Sequence, residues 1–210
     1  MARPSTSLIS REAAVRTTLE LIDEEGYENF SLGKLAQRMG VRPPSLYYHF
    51  TGRSEILEEA ARTLLMEVRV PPDYPVEEWR EWFVDLCRDT YELIMRHPRA
   101  AGLVFTYFPN TVVMPSHERS AKLMVAAGVA PENVWVVIKG MEKLIFGLAY
   151  GDAQDFVAER PSMPRGIEGT HYPALTGAVE ASPGSGIELM ERAVRLLLAG
   201  VGKPSRRRSK

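Results

Sequence analysis

The sequence predicts an all-α protein, a small N-terminal three-helix domain followed by a larger helical one. Three observations carry this. Apolar residues recur at three- and four-residue spacing along most of the chain, and no stretch shows the two-residue alternation of a half-buried strand. Helix start and stop signals bracket these runs, about nine or ten of them. The run Pro71-Pro72-Asp73-Tyr74-Pro75 is the sharpest break in composition and marks the domain boundary.

The elements follow in order. Ser10 caps a first helix whose apolar positions include Ala14, Val15, Leu21 and Ile22, and Gly26 stops it. Ser31 opens a second, short helix that ends at Gly40, and Pro43-Pro44 opens a third, since first-turn prolines give up only N–H groups that lack helical partners anyway. Ser54 is a cap for a fourth helix reaching about Val70. Beyond the boundary the spacing predicts helices at about 76–96, 98–108, 116–127 and 132–157, with a loop at 109–115. An irregular Pro/Gly-rich stretch, 159–184, holds one short helix after Pro173, and a last helix runs from Gly186 to Leu198. The domains read as 1–54, a connecting helix at 55–70, a body at 71–202 and a basic tail at 203–210.

Apolar content of 45% and charged content of 25% fit an ordered globular chain, and 210 residues suffice for a small module plus a domain with its own core. The lone Cys87 excludes an intrachain disulfide framework, no apolar run approaches a membrane span, and the first residues do not form a signal peptide. A cytoplasmic location is expected. The net charge of −1 makes distribution the question. Between Asn29 and Ser54 there is no Asp or Glu, whereas Lys34, Arg38, Arg42, His49 and Arg53 are present. Two short helices joined by a tight turn at Gly40-Val41, inside an acid-free window, describe a helix-turn-helix whose second helix enters the major groove. Two short helices around a glycine also occur in helical proteins of other kinds, so this pattern alone leaves DNA binding and mere packing both open.

The run FSLGKLAQRMGVRPPSLYYHFTGRSEIL, within residues 10–60, resembles the DNA-binding signature of the TetR family of transcriptional regulators. It combines a Leu-Ala turn helix ending in Gly-Val, a Leu-Tyr-x-His-Phe recognition helix and a basic residue three positions after the phenylalanine. The resemblance implies an N-terminal helix-turn-helix, a C-terminal ligand-binding and dimerisation domain, and repression released by a small-molecule inducer. It places Tyr47, His49 and Arg53 at phosphate-binding positions, with Ser45 donating to phosphate or base, and puts Arg42, Pro43, Pro44 and Tyr48 at or beside the bases. Lys34 belongs to the same basic face. Ala36, Gly40, Val41, Leu46 and Phe50 are structural. Two positions depart from the family's founding repressor: Gly33 stands where it has a base-reading arginine, and Pro43 where it has a glutamine. The operator is therefore expected to differ, with Arg42 the candidate for a direct guanine contact.

In the second domain, Gly147 and Gly151 share a face of the 132–157 helix. With Leu189, Ala193 and Leu197 of the last helix they suggest a four-helix interface between two subunits, which the family likeness also implies. The aromatics and methionines between 76 and 127 read first as core. By resemblance they enclose an inducer pocket, for which the candidates are Trp82, Leu86, Tyr91, Phe105, Phe108, His117, Met124 and Glu142. His97 and His117 lack the neighbouring ligands of a metal site, and no metal or cofactor is expected. Enzymatic motifs are poorly matched: GVGK at 200–203 lacks the upstream glycine and the Ser/Thr of a phosphate loop, and the chain has no G-x-S-x-G or H-E-x-x-H. The expected partners are double-stranded operator DNA, a second copy of the chain and a small molecule, without a membrane. The competing readings are a helical interaction protein or enzyme with a borrowed DNA-binding head, and a regulator without a ligand.

Overall fold

The computed structural model describes residues 10–160, 172–182 and 184–202. Among them it contains ten α-helices and no strand. They are α1 (Arg11–Glu25), α2 (Leu32–Arg38), α3 (Pro43–Leu46), α4 (Arg53–Leu65), α5 (Trp79–Arg96), α6 (Ala101–Thr106), α7 (Asn110–Ala126), α8 (Pro131–Val157), α9 (Pro173–Glu180) and α10 (Gly186–Ala199). The chain forms two compact units, one of Met1–Glu67 with Arg99–Pro109, the other of Val68–Pro98 with Asn110–Lys210. The basic tail at 203–210 lies outside the described residues.

In the first unit α1 packs on α4 and α2, burying Ala14, Leu21 and Ile22 against Leu35, Ile56 and Leu57. Its Ser10 cap is as expected, the hydroxyl accepting from Ala13 N at 3.0 Å. Residues 99–109, which the sequence assigns to the second domain, join this unit through α6. The backbone of Gly102 lies so close to the Tyr27 ring that a Cβ there would stand 2.4 Å from Cε1. The Tyr27 hydroxyl also meets Thr106 Oγ1 at 3.3 Å. No local pattern announces a contact between residues so far apart in the chain.

The fourth helix starts earlier than its expected Ser54 cap. Gly52 is the N-cap, and Glu55 reaches back, accepting from Thr51 N at 2.6 Å and Thr51 Oγ1 at 2.8 Å. A carboxylate in the first turn thus takes over the capping work that the sequence gave to a serine. The helix ends at Leu65, short of Val70.

In the second unit α5 lies against α8 and α10, and α7 packs on α8. Trp82 is fully buried, its indole N–H directed at the Pro71 and Pro72 carbonyls, so the proline break is tied into this core. The predicted loop at 109–115 is helical, because α7 begins at Asn110 and carries Pro115 inside it. A proline there removes one hydrogen bond to the preceding turn. Ser116 Oγ donates to the Val113 carbonyl at 2.7 Å beside the interruption. Gly186 opens α10 directly over a Tyr91–Asp152 hydrogen bond of 2.6 Å, where any Cβ would collide with both partners.

Candidate nucleic-acid interface and ligand cleft

The local chain direction of the helix-turn-helix follows from three residues. Val41 N donates to Ala36 O at 2.9 Å and Gly40 N to Gln37 O at 3.1 Å, the paired bonds of a Schellman ending. Gly40 takes a φ of +67°, which a side chain would disfavour. Arg42 then serves as N-cap of α3, in extended conformation, and Pro43 and Pro44 fill the first two helical positions. Neither has an N–H, and Ser45 N is already bonded to Arg42 O at 2.9 Å. The first turn of α3 therefore offers few backbone donors to an anion, unlike an ordinary helix start. Contacts to a phosphate have to come from side chains.

Those side chains are well placed. Leu46 and Phe50 are buried and fix α3 and the turn after it to the unit's core. Tyr47 and Tyr48 stand out from it, 58% and 90% exposed. Arg42, Pro43 and Pro44 are exposed beside them, while Ser45 and His49 are half-buried. The segment is clamped from behind by Arg11, which sequence reasoning did not single out. Its guanidinium lies 4.5 Å over the Phe50 ring, donates to the His49 carbonyl and pairs with Glu55 at 2.7 Å. Two donations from Thr51 and one from Arg11 hold the Glu55 carboxyl down at about 2.

The other basic residues of the acid-free window are not equally available. Lys34 pairs with Glu25 at 2.5 Å, and Arg38 takes a two-point pair with Glu24. The window is acid-free in sequence but not in space, because α1 brings its acidic end to the side of α2. Arg53 donates from Nε to Phe30 O at 3.1 Å and from Nη2 to Tyr27 O at 2.9 Å, so it holds the 27–30 turn. Arg42 is exposed and makes no ion pair among the described residues.

The eight pocket candidates do not converge. Trp82 and Met124 are fully buried core, Tyr91 is committed to Asp152, and Leu86 is half-buried on α5. Phe105 and Phe108 fall in the first unit. Packing separates residues that helical spacing had grouped. His117 and Glu142 do come together, Nε2 lying 3.4 Å from Oε2. His117 also lines an open cleft of about 330 Å³ between α7 and α8, with Met114, Pro131, Val134, Trp135 and Ile138. Of the interface candidates, Gly147, Gly151, Leu189 and Leu197 are exposed and Ala193 half-buried. A Cβ at either glycine would meet nothing within 4 Å.

Comparison with known proteins agrees with this architecture. Residues 5–60 match the model for bacterial regulatory proteins of the tetR family, and residues 71–204 match the tetracyclin repressor-like C-terminal domain. An HTH-type transcriptional regulator of Saccharopolyspora erythraea is 25% identical over 203 residues, spanning 92% of this chain and 85% of its own. Apo ActR from Streptomyces coelicolor superposes with a TM-score of 0.75 at 22% identity, covering 94% of this chain and 96% of that one. Its complex with (S)-DNPA gives a TM-score of 0.73 at 23% identity, covering 92% and 97%. BioQ, solved with its natural double-stranded DNA operator, gives 0.63 at 23% identity, covering 72% and 93%. Fold, turn geometry and matches over both units lead to one conclusion: the chain is a transcriptional regulator of the tetR family.

Proposed function

We propose that the chain represses transcription by binding a palindromic operator as a homodimer and is released by a small-molecule ligand. The observation that carries this is the α3 surface, where two exposed tyrosines and the solvent-facing Arg42 stand on a segment anchored by Leu46, Phe50 and the Arg11 clamp. In this reading Tyr47, His49, Ser45 and Lys34 contact phosphates, Lys34 by exchanging Glu25 for the backbone. Arg42 and Tyr48 reach the base edges over Pro43 and Pro44. Arg53 acts chiefly by holding the turn below them. Phosphate groups position such a protein, and only the base contacts choose the sequence.

Dimerisation is assigned to α8 and α10, whose exposed Gly147, Gly151, Leu189, Leu196 and Leu197 form apolar surface left uncovered by their own chain. Ligand control is supported by the ActR complex with a small molecule, and operator binding by the BioQ complex. The cytoplasm is the site of action; no described helix is long and apolar enough to cross a membrane.

The test is selection of binding sites from random duplex DNA, followed by salt-dependent gel shifts on the recovered site. Tyr47→Phe and His49→Ala are expected to weaken binding about equally on all sequences while leaving the melting temperature unchanged. Wild-type affinity in both variants would remove α3 as the DNA surface.

A further inference from the structure

The cleft between α7 and α8 has apolar walls and one polar end. Its walls are Met114, Pro131, Val134 and Ile138, with Trp135 more than half exposed along one side. Its polar end is His117, whose imidazole meets the Trp135 ring edge-on at 6.0 Å, beside the exposed Glu118, which pairs with Lys122 at 3.1 Å. Behind His117 stands Glu142, more than nine-tenths buried. Two atoms of this pair are buried without a hydrogen-bond partner, His117 Nδ1 and Glu142 Oε2. Such atoms are uncommon in folded proteins, and each calls for a missing partner.

The kind of partner follows from what the two atoms can accept. Glu142 Oε1 already takes Lys139, with Lys143 at 3.6 Å, so the carboxylate's charge is met within the chain and no cationic ligand is called for. Burial holds the imidazole below the usual histidine range, with Lys139 adding to that and Glu142 opposing it, so the ring is neutral at pH 7. With Nε2 carrying its hydrogen toward Glu142, Nδ1 presents a lone pair. Glu142 Oε2, 3.4 Å from Nε2, faces that hydrogen, and Nδ1 is the acceptor left over. It asks for a neutral hydrogen-bond donor, and the walls and the Trp135 ring ask for a flat apolar body. A volume of about 330 Å³ falls at the small end of ligand sites.

We propose that this cleft binds the regulatory ligand, and that the ligand is a compact planar aromatic bearing a free hydroxyl that donates to His117. The assignment rests on the ligand-release reading above. The ring lies along Trp135, and the hydroxyl completes a chain of hydrogen bonds through His117 to Glu142. Recognition is a matter of one proton: a methyl ether of the same ring keeps the shape and loses the donor.

The experiment uses the full-length protein and two probes, 2-naphthol and 2-methoxynaphthalene, in calorimetric titrations. The wild type is expected to bind the naphthol about tenfold more tightly than its ether, the effect of one hydrogen bond to a buried acceptor. His117→Phe should abolish that preference and leave ether affinity unchanged, whereas Trp135→Ala should weaken both probes alike. Equal affinities in the wild type, no binding of either probe at millimolar concentration, or a preference that survives His117→Phe would overturn the assignment. A gel shift on the selected operator separates the two levels. Naphthol that binds with the expected preference but leaves the DNA complex intact supports the cleft and overturns the ligand-release reading.

Discussion

Arg42 occupies the entrance to α3 in the extended conformation that a residue before proline favours, and it is exposed there. Its guanidinium makes no ion pair among the described residues, so it reaches a guanine without first breaking one. We expect Arg42→Ala to cost roughly 1–3 kcal/mol on the selected operator and to relax one base position in each half-site. An unchanged site in a repeated selection would end its candidacy. Glu55 shows the opposite economy. Its carboxyl is held at about 2, below the ordinary 4.5, so the folded state prefers the ionised form. That stability is complete above about pH 4.5 and disappears as the pH falls through about 2. The melting-temperature gap between wild type and Glu55→Gln should therefore be widest above pH 5 and close on acidification; a gap independent of pH would show that the three hydrogen bonds do not favour the charged form. The place of Arg42 at the entrance to α3 was legible in the sequence, since the proline pair after it opens the helix. Arg11 and Glu55 were not, because their partners are decided by how α1 crosses α4. The pairing of Lys34 and Arg38 with α1 was hidden for the same reason.

At the scale of the element, helical periodicity located most helices to within a few residues, since the core selects one apolar face per helix. It failed where punctuation residues mislead. Pro115 reads as a loop but is tolerated near the start of α7, and Ser54 reads as a cap but yields to Glu55. Glycine carries two different messages here. At Gly102 the Tyr27 ring occupies the space a methyl needs, so Gly102→Ala should destabilise the first unit by roughly 1–3 kcal/mol. Combining it with Tyr27→Ala should cost less than the sum of the two single changes, read as a positive coupling in urea denaturation. Strict additivity would mean that α6 relaxes freely. At Gly147 the space is open within the subunit, so Gly147→Leu should leave monomer stability intact and break the dimer. Sedimentation showing a wild-type dimer would place the α8 stripe away from the interface.

For the whole molecule the regulatory claim is thermodynamic. The α3 surface proposed to meet the operator belongs to one unit and the cleft to the other. Whatever the path between them, a ligand that weakens operator binding must itself be weakened by operator to the same factor, about 5- to 150-fold in typical couplings. Titrating 2-naphthol into the free protein and into its operator complex should return that shared factor. Identical affinities in the two titrations would mean that the cleft is not coupled to DNA.

The excursion of residues 99–109 into the first unit has a consequence for how the protein is made. A DNA-binding head confined to the first 67 residues would have its core complete once that segment left the ribosome. This one does not, since α6 supplies Gly102 and its neighbours against Tyr27. About forty more residues must be synthesised first, a delay of roughly 2–8 s at ribosomal rates. During that interval the polypeptide between Val68 and Pro98 has emerged without α8 or α10 to cover it. Neither half is finished before the other has begun, so the two units mature as interleaved segments and not as successive modules.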